Sequence, residues 1–117
     1  MQRGLAASDP ALMRRLLASA GELRLVVLGT SMAPTIRPGD TVVIRPLAGA
    51  LRVGDVLVYA RSGQLWCHRV LVPGRSTITK GDNRGRPDAP VPAAAVIGRA
   101  RSEEHTSELQ SRQAISY

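Results

Sequence analysis

Residues 29–40, GTSMAPTIRPGD, form a turn-rich stretch between two short apolar runs, LRLVVL at residues 23–28 and TVVI at residues 41–44. Short β-branched runs on either side of a segment rich in glycine and proline indicate two strands joined by a loop. Pro34 and Pro38 each fix one backbone angle, and two glycines allow the angles that a sharp turn needs. The stretch therefore predicts a stiff loop between strands, around which the rest of the chain is organised.

Ser31 lies on this predicted loop, and two interpretations of it are open. A stiff loop holds a hydroxyl in one direction, as a serine nucleophile requires when it attacks a bound carbonyl carbon. An ordinary turn serine would instead form a hydrogen bond with its neighbouring backbone. The choice between the two depends on what else the chain supplies.

The rest of the sequence predicts a mainly β domain with one short N-terminal α-helix. Asp9 followed by Pro10 is typical of a helix start, and Gly21 is a natural stop, so we expect a helix over residues 10–20. Short alternating or β-branched segments separated by turns predict a small all-β barrel or sandwich. The expected strands are residues 23–28, 41–45, 56–60, 64–72 and 76–79, with a last one opening at Val96 and Ile97.

The predicted helix has an apolar side, with Arg14 and Arg15 between its apolar residues. Such a helix most simply packs on the flank of the domain; the alternative is a basic helix that makes peripheral contact with a membrane. No stretch approaches the roughly 20 apolar residues that span a bilayer, and no signal peptide is recognisable. These observations leave the compartment open between cytoplasmic and membrane-associated, and they leave the oligomeric state open as well.

Composition limits the chemistry that the chain can perform. Its 117 residues suffice for one small domain. Cys67 is the single cysteine, which excludes an intramolecular disulfide and a cysteine-based zinc site, and we expect neither a metal nor a cofactor. The net charge of +7 comes largely from scattered arginines. Because they form no basic run and no nucleic-acid-binding motif, we do not expect direct binding of nucleic acid.

Residues 101–117 differ from the rest of the chain. They are polar, lack glycine and proline, and resemble the in-frame translation of a common sequencing-adapter oligonucleotide. We therefore expect a helical segment over residues 1–22, a β domain over residues 23–100 that is truncated at its C-terminus, and a non-native tail over residues 101–117. On this interpretation His105 and Ser107 carry no functional meaning.

The segment around His68 is predicted to be a strand, so alternate side chains share a face. His68 then lies with Trp66, Val70 and Val72, which places an imidazole among apolar neighbours. A neutral imidazole in such a position can act as a general base near neutral pH. The alternative is a histidine that only forms hydrogen bonds within the strand face.

A turn-rich segment, TKGDNRGRPD at residues 79–88, supplies two carboxylates, Asp82 and Asp88. Either could orient the histidine as the third member of a Ser-His-Asp triad, or Asp82 could simply stabilise its own turn. Lys80, the single lysine of the chain, offers a Ser–Lys pair instead, which requires a pKa lowered by burial. Its place beside a solvated turn favours the histidine.

In combination, these segments resemble the type I signal peptidase-like serine proteases. The resemblance covers about residues 23–99 and depends on five motifs in the family's order. They are SMAPT at residues 31–35 followed by Gly39 and Asp40, GDV at residues 54–56, HRV at residues 68–70, KGDN at residues 80–83 with Asp88, and IG at residues 97–98. The histidine is similar to the branch typified by the eukaryotic and archaeal enzymes, whereas the common bacterial enzymes and the self-cleaving repressors of this fold have a lysine there.

This resemblance implies a small coiled antiparallel β barrel or sandwich, in agreement with the strand pattern. It also implies a serine endopeptidase that forms an acyl-enzyme with Ser31 as nucleophile and His68 as general base. It implies that Asp88 orients the histidine, and that Asp82 supports the site or shares this role. The Ser31 backbone N–H would be one oxyanion donor, and an apolar groove near Met32 would bind an extended peptide by strand addition. The expected substrate is a peptide or precursor protein that is cleaved after a small residue.

Signal peptidases of this kind carry a transmembrane anchor ahead of the serine, and only a short helix precedes it here, which leaves the substrate class and the compartment open. A second hypothesis comes from a different class of protein. This hypothesis is a regulatory module of the repressor type, either non-proteolytic or self-cleaving, that binds nucleic acid or a protein partner. Residues 18–21, ASAG, could serve as a self-cleavage site, although no helix-turn-helix precedes them.

Overall fold

The computed structural model describes residues 9–102, which form one helix and seven strands. Helix α1 has the predicted bounds, because the Asp9 carboxylate accepts the Leu12 N–H at its start (3.1 Å) and the Gly21 N–H donates to the Leu17 carbonyl at its end (2.8 Å). The elements are α1 (Pro10–Ala20), β1 (Leu23–Val26), β2 (Thr41–Arg45), β3 (Val56–Arg61), β4 (Gln64–Val72), β5 (Ser76–Lys80), β6 (Val91–Pro92), a 3₁₀ turn (Ala93–Ala95) and β7 (Val96–Ser102).

The seven strands are all antiparallel and follow the order β1-β2-β7-β3-β4-β5-β6. The last strand of the described residues, β7, therefore lies in the middle of the sheet between β2 and β3. The predicted fold class, a small mainly β domain with one N-terminal helix, is confirmed.

The observed strands differ from the predicted ones at five places, of which β3 and β5 each end only one residue later than predicted. Strand β1 ends at Val26 because Val27 leaves the ladder to close the following loop, exchanging hydrogen bonds with the backbone of Gly39 and Asp40. Strand β6 has only two residues, too few to show an alternating pattern. Strand β7 continues to Ser102, two residues past the predicted end of the domain; it pairs with β3 as far as Ala100, and Arg101 and Ser102 pair with β2 alone. A partner strand thus supports residues with little β propensity of their own.

Gly98 explains part of that weak strand signal in β7. A Cβ atom at this position would lie 2.5 Å from the Arg45 carbonyl oxygen and 2.9 Å from the Leu17 side chain. Only glycine therefore lets α1 pack this closely on the centre of the sheet.

Two apolar clusters form the core. The first joins the buried side of α1, Met13 and Leu17, to the loop residues Met32 and Ile36 and to the facing strand residues. The second contains Leu57, Tyr59, Val70, Val91 and Val96. Met13 and Leu17 thus pack α1 on the flank of the domain, as the flank-packing interpretation predicted, whereas Leu16 of the same helix is 48% exposed. Within residues 9–102, no helix is long and apolar enough to cross a membrane.

Candidate active site

The loop that carries Ser31 is fixed from within by its own backbone and side chains. The Arg37 N–H donates to the Asp40 carboxylate (2.9 Å), and the Ile36 N–H donates to the Met32 carbonyl (2.9 Å). The Met32 and Ile36 side chains, each 2% exposed, anchor the loop in the first core cluster. We refer to residues 29–40 as the serine loop.

A second turn, residues 81–84, holds the serine loop from outside. The Asn83 N–H donates to the Ser31 carbonyl (2.7 Å), and the Asn83 amide group donates to the Thr30 carbonyl (3.1 Å). The Asp82 N–H contacts the Met32 sulfur at 3.3 Å. The position of Ser31 is therefore set by a segment about fifty residues further along the chain.

Ser31, His68 and Asp88 lie in a line of contacts. Ser31 Oγ is 2.9 Å from His68 Nε2, and His68 Nδ1 is 2.6 Å from Asp88 Oδ2. The His68 side chain is 1% exposed and that of Asp88 is 16% exposed, while Ser31 is half-buried. With the proton on Nδ1 directed at the carboxylate, Nε2 is an acceptor for the serine proton, so the arrangement can raise the nucleophilicity of the hydroxyl.

His68 is held in strand β4 by neighbours on the same face of the sheet. Its ring packs edge-on against Trp66 (5.7 Å between ring centroids) and against Tyr59 (6.2 Å). Trp66 and Val70 share this apolar face, as the alternation predicted. Val72 does not, because the pairing of β4 with β5 shifts register after Val70 and leaves Val72 exposed.

Asp88 is held by two residues that the sequence did not single out, Thr79 and Tyr59. The Thr79 hydroxyl donates to Asp88 Oδ2 at 2.7 Å, and the Tyr59 hydroxyl lies 3.3 Å from the same oxygen. Burial raises the pKa of the Asp88 carboxyl, but the hydrogen bonds from His68, Thr79 and Tyr59 and the charge of His68 outweigh it and keep the pKa below its usual range. Asp88 is thus an anion at neutral pH.

Asp82 and Lys80 have other partners. Asp82 binds the Arg69 guanidinium through both carboxylate oxygens, at 2.8 Å and 2.7 Å. This hydrogen-bonded pairing lowers the pKa of Asp82 against the opposing effect of burial, and it raises the pKa of Arg69. Lys80 Nζ donates to the Gly81 carbonyl at 3.2 Å. Of the two carboxylates that the sequence left open, the one in contact with His68 is Asp88.

Gly81 is a further residue that sequence reasoning did not single out as part of the site. A Cβ atom on it would lie 2.6 Å from the Ser31 carbonyl oxygen and 3.2 Å from His68 Nε2. The turn after β5 therefore passes so close to the serine and the histidine that no side chain fits. The signal in the sequence is the glycine of the KGDN motif, because a glycine allows a close approach of the backbone to a neighbouring segment.

The Met32 side chain is 2% exposed and lies in the first core cluster, so it does not itself form an open surface beside Ser31. An apolar pocket of about 570 Å³ lies elsewhere, between α1, the β2–β3 connection and the 3₁₀ turn, and Ser31, His68 and Asp88 do not line it.

In the part of the chain that the structure describes, no three His, Cys, Asp or Glu side chains are grouped as metal ligands would be.

Cys67, next to His68, is a poor nucleophile. Burial raises the pKa of its thiol to about 12, although the positive charge of Arg69 opposes this effect. Since the thiolate is the reactive form, the thiol is almost fully protonated at neutral pH.

The Asp82–Arg69 pair leads to a prediction about stability and pH. Because the pKa of Asp82 is lower in the folded chain, its stabilising effect is complete above the unfolded value of about 3.9 and is lost as the pH falls through the folded value. We expect Asp82→Asn to lower the free energy of unfolding by about 1–3 kcal/mol at neutral pH. Urea denaturation of both proteins should show this difference shrinking below about pH 4; a difference that is unchanged at acid pH would contradict the assignment.

In a comparison with models of protein families, residues 10–101 match the model described as Peptidase S24-like. This range includes α1, strands β1 to β6 and nearly all of β7, and it contains Ser31, His68 and Asp88. Comparison with curated proteins gives no match.

Proposed function

The chain belongs to the Peptidase S24-like family, and from this premise we propose that it is a serine endopeptidase of the signal-peptidase-like type with a Ser-His-Asp site. The observation that carries the proposal is the line of contacts from Ser31 Oγ through His68 to Asp88, at 2.9 Å and 2.6 Å. A turn serine with no catalytic role needs no imidazole at its hydroxyl. A core histidine with no catalytic role needs no carboxylate on its other nitrogen.

The proposed reaction has two steps. Ser31 Oγ attacks the carbonyl carbon of the scissile bond while its proton passes to His68 Nε2, and Asp88 stabilises the imidazolium that forms. His68 then gives this proton to the leaving amine as the carbon–nitrogen bond breaks, which leaves an ester on Ser31. A water molecule then attacks the ester while His68 takes its proton. The bond between the acyl carbon and Ser31 Oγ breaks, His68 returns the proton to Oγ, and the acid product leaves. The Ser31 backbone N–H is the proposed donor to the oxyanion.

Strand β1 is the proposed docking edge for the substrate. It lies at one end of the strand order and leads directly into the serine loop. Val26 and Leu28, just ahead of Ser31, are 59% and 75% exposed. An extended peptide that pairs with this edge would pass beside Ser31. We infer the preference for a small residue before the cleaved bond from the resemblance to signal peptidases. The proposed substrate is a peptide or a precursor protein.

The conformation of residues 18–21 argues against self-cleavage at that point. Ala18 to Ala20 form the last turn of α1, and the Gly21 N–H closes it on the Leu17 carbonyl. A protease edge binds an extended backbone, so this segment would have to unwind before it could be cleaved. The helical conformation of this segment therefore favours cleavage of another molecule over cleavage of the chain itself.

A peptide panel tests the proposal. Extended peptides that differ only in the residue before one bond, with alanine, glycine, leucine or arginine there, are incubated with the full chain and the products identified by mass. We expect cleavage after alanine and glycine at a rate at least about tenfold above that after leucine or arginine, since a pocket for a small side chain excludes larger ones. Ser31→Ala is the blank. Cleavage that is equally fast with Ser31→Ala would rule the proposal out.

A further inference from the structure

We propose that Thr79 is a positioning residue that fixes Asp88 and thereby keeps the His68 proton on Nδ1, so that Nε2 can accept the proton of Ser31. This inference rests on the proposed function for its effect on rate. Its effect on the tautomer of His68 can be measured whether or not the protein cleaves peptides.

Thr79 holds Asp88 at two points. Its carbonyl accepts the Asp88 backbone N–H at 2.8 Å, and its hydroxyl donates to Asp88 Oδ2 at 2.7 Å. Thr79 is fully buried in β5, opposite Val70 of β4 and therefore beside the strand that carries His68. A carboxylate that is fixed through both its backbone and its side chain keeps one oxygen aimed at Nδ1.

Asp88 must be held in place because the Tyr59 hydroxyl could otherwise donate its proton to His68 Nδ1. Its hydroxyl lies 3.3 Å from Asp88 Oδ2 and 3.4 Å from His68 Nδ1, and it has one proton to donate. If that proton went to Nδ1, the imidazole proton would move to Nε2, and His68 could no longer accept the proton of Ser31. While Oδ2 stays 2.6 Å from Nδ1, that nitrogen keeps its proton and the Tyr59 hydroxyl is directed to the carboxylate.

The chain provides a matched control in the same strand. Thr77 is also buried in β5, but its hydroxyl makes only a 3.4 Å contact with the Gly74 carbonyl and does not touch Asp88. Thr77→Val and Thr79→Val therefore remove the same hydroxyl from similar surroundings. Only the second removes a hydrogen bond to the carboxylate.

The test measures two properties of the full chain and its variants. The nitrogen NMR shifts of the His68 ring, assigned with a His105→Gln variant, report the tautomer, and an activated carbamate reports the rate at which Ser31 is modified. We expect Thr79→Val to populate the Nε2–H tautomer and to slow the modification about 10- to 100-fold, the loss typical of a hydrogen bond to a charged group. Thr79→Ser keeps the hydroxyl and should stay within about threefold of the parent rate, and Thr77→Val should match the parent in both readouts.

Tyr59→Phe provides an independent check, since it removes the competing proton. In the Thr79→Val background it should return the His68 tautomer to that of the parent; if Thr79→Val does not fold, Thr79→Ala takes its place. The inference would be overturned if Thr79→Val had the same His68 tautomer as the parent and the same rate of Ser31 modification. If the parent is not modified at Ser31 at all, the proposed function fails. The His68 tautomer of Thr79→Val, compared with that of the parent, still tests the role of Thr79.

Discussion

Asp88→Asn is expected to slow the acylation of Ser31 by about 10⁴-fold, the loss seen when the carboxylate of a Ser-His-Asp triad becomes an amide. The neutral amide no longer stabilises the imidazolium that forms when His68 accepts the serine proton. Its NH₂ group can also face Nδ1, 2.6 Å away, and hold the proton of the ring on Nε2. The readout is the rate at which an activated ester acylates Ser31, with circular dichroism as the check on folding.

Asp82→Asn is the matched control, because it makes the same chemical change in the same segment. Asp82 binds Arg69 and has no described hydrogen bond to His68. We therefore expect Asp82→Asn to be less stable than the parent. Its acylation rate should fall by less than about tenfold, the range of an indirect effect on a positioned group. Equal loss of rate in the two variants would mean that Asp88 is not the carboxylate that orients His68.

Gly81→Ala is expected to lower the acylation rate by about 100-fold, since a misplacement of about 1 Å at a reacting group has an effect of that size. The new Cβ atom would stand 2.6 Å from the Ser31 carbonyl oxygen and 3.2 Å from His68 Nε2, so the turn or the serine loop must move. The contact with Ser31 is to backbone, which cannot rotate away as a side chain would. The measurement is the acylation rate and the unfolding free energy of the same preparation.

Gly85→Ala is the control for the general effect of replacing a glycine in this segment, as distinct from the close contacts that a Cβ atom would make at Gly81. A Cβ atom at Gly85 meets nothing within 4 Å. This variant should therefore acylate at close to the parent rate. If Gly81→Ala is as active as Gly85→Ala, the close approach of the turn to Ser31 and His68 has no functional consequence.

Local signals in the sequence predicted most of the fold. The bounds of α1 followed from Asp9, Pro10 and Gly21, which act within one or two turns of the helix. The β2 and β4 strands had the predicted bounds, because their β-branched and alternating runs are strong. What the sequence missed was β6 and most of β7, which exist because of their partners in the sheet.

The candidate site was predictable only as a set of candidates. Motif order indicated Ser31, His68 and the two aspartates, but the choice of Asp88 as the neighbour of His68 depends on how the turn after β5 folds back. Thr79 and Tyr59 carry no signal in the sequence, since a threonine and a tyrosine in strands are ordinary. The burial of Met32 was missed for the same reason: spacing does not show which side of a loop faces the core.

The most direct test of the proposed site is the covalent modification of Ser31 at neutral pH. The full chain, Ser31→Ala and His68→Ala are treated with an activated carbamate, and the modified residue is identified by peptide mass. Cys67 should not compete, because burial raises the pKa of its thiol to about 12. We predict a stable adduct on Ser31 of the parent that both folded variants lack. No adduct on Ser31 of the folded parent, or an adduct that forms equally fast in His68→Ala, would contradict a nucleophile activated by His68.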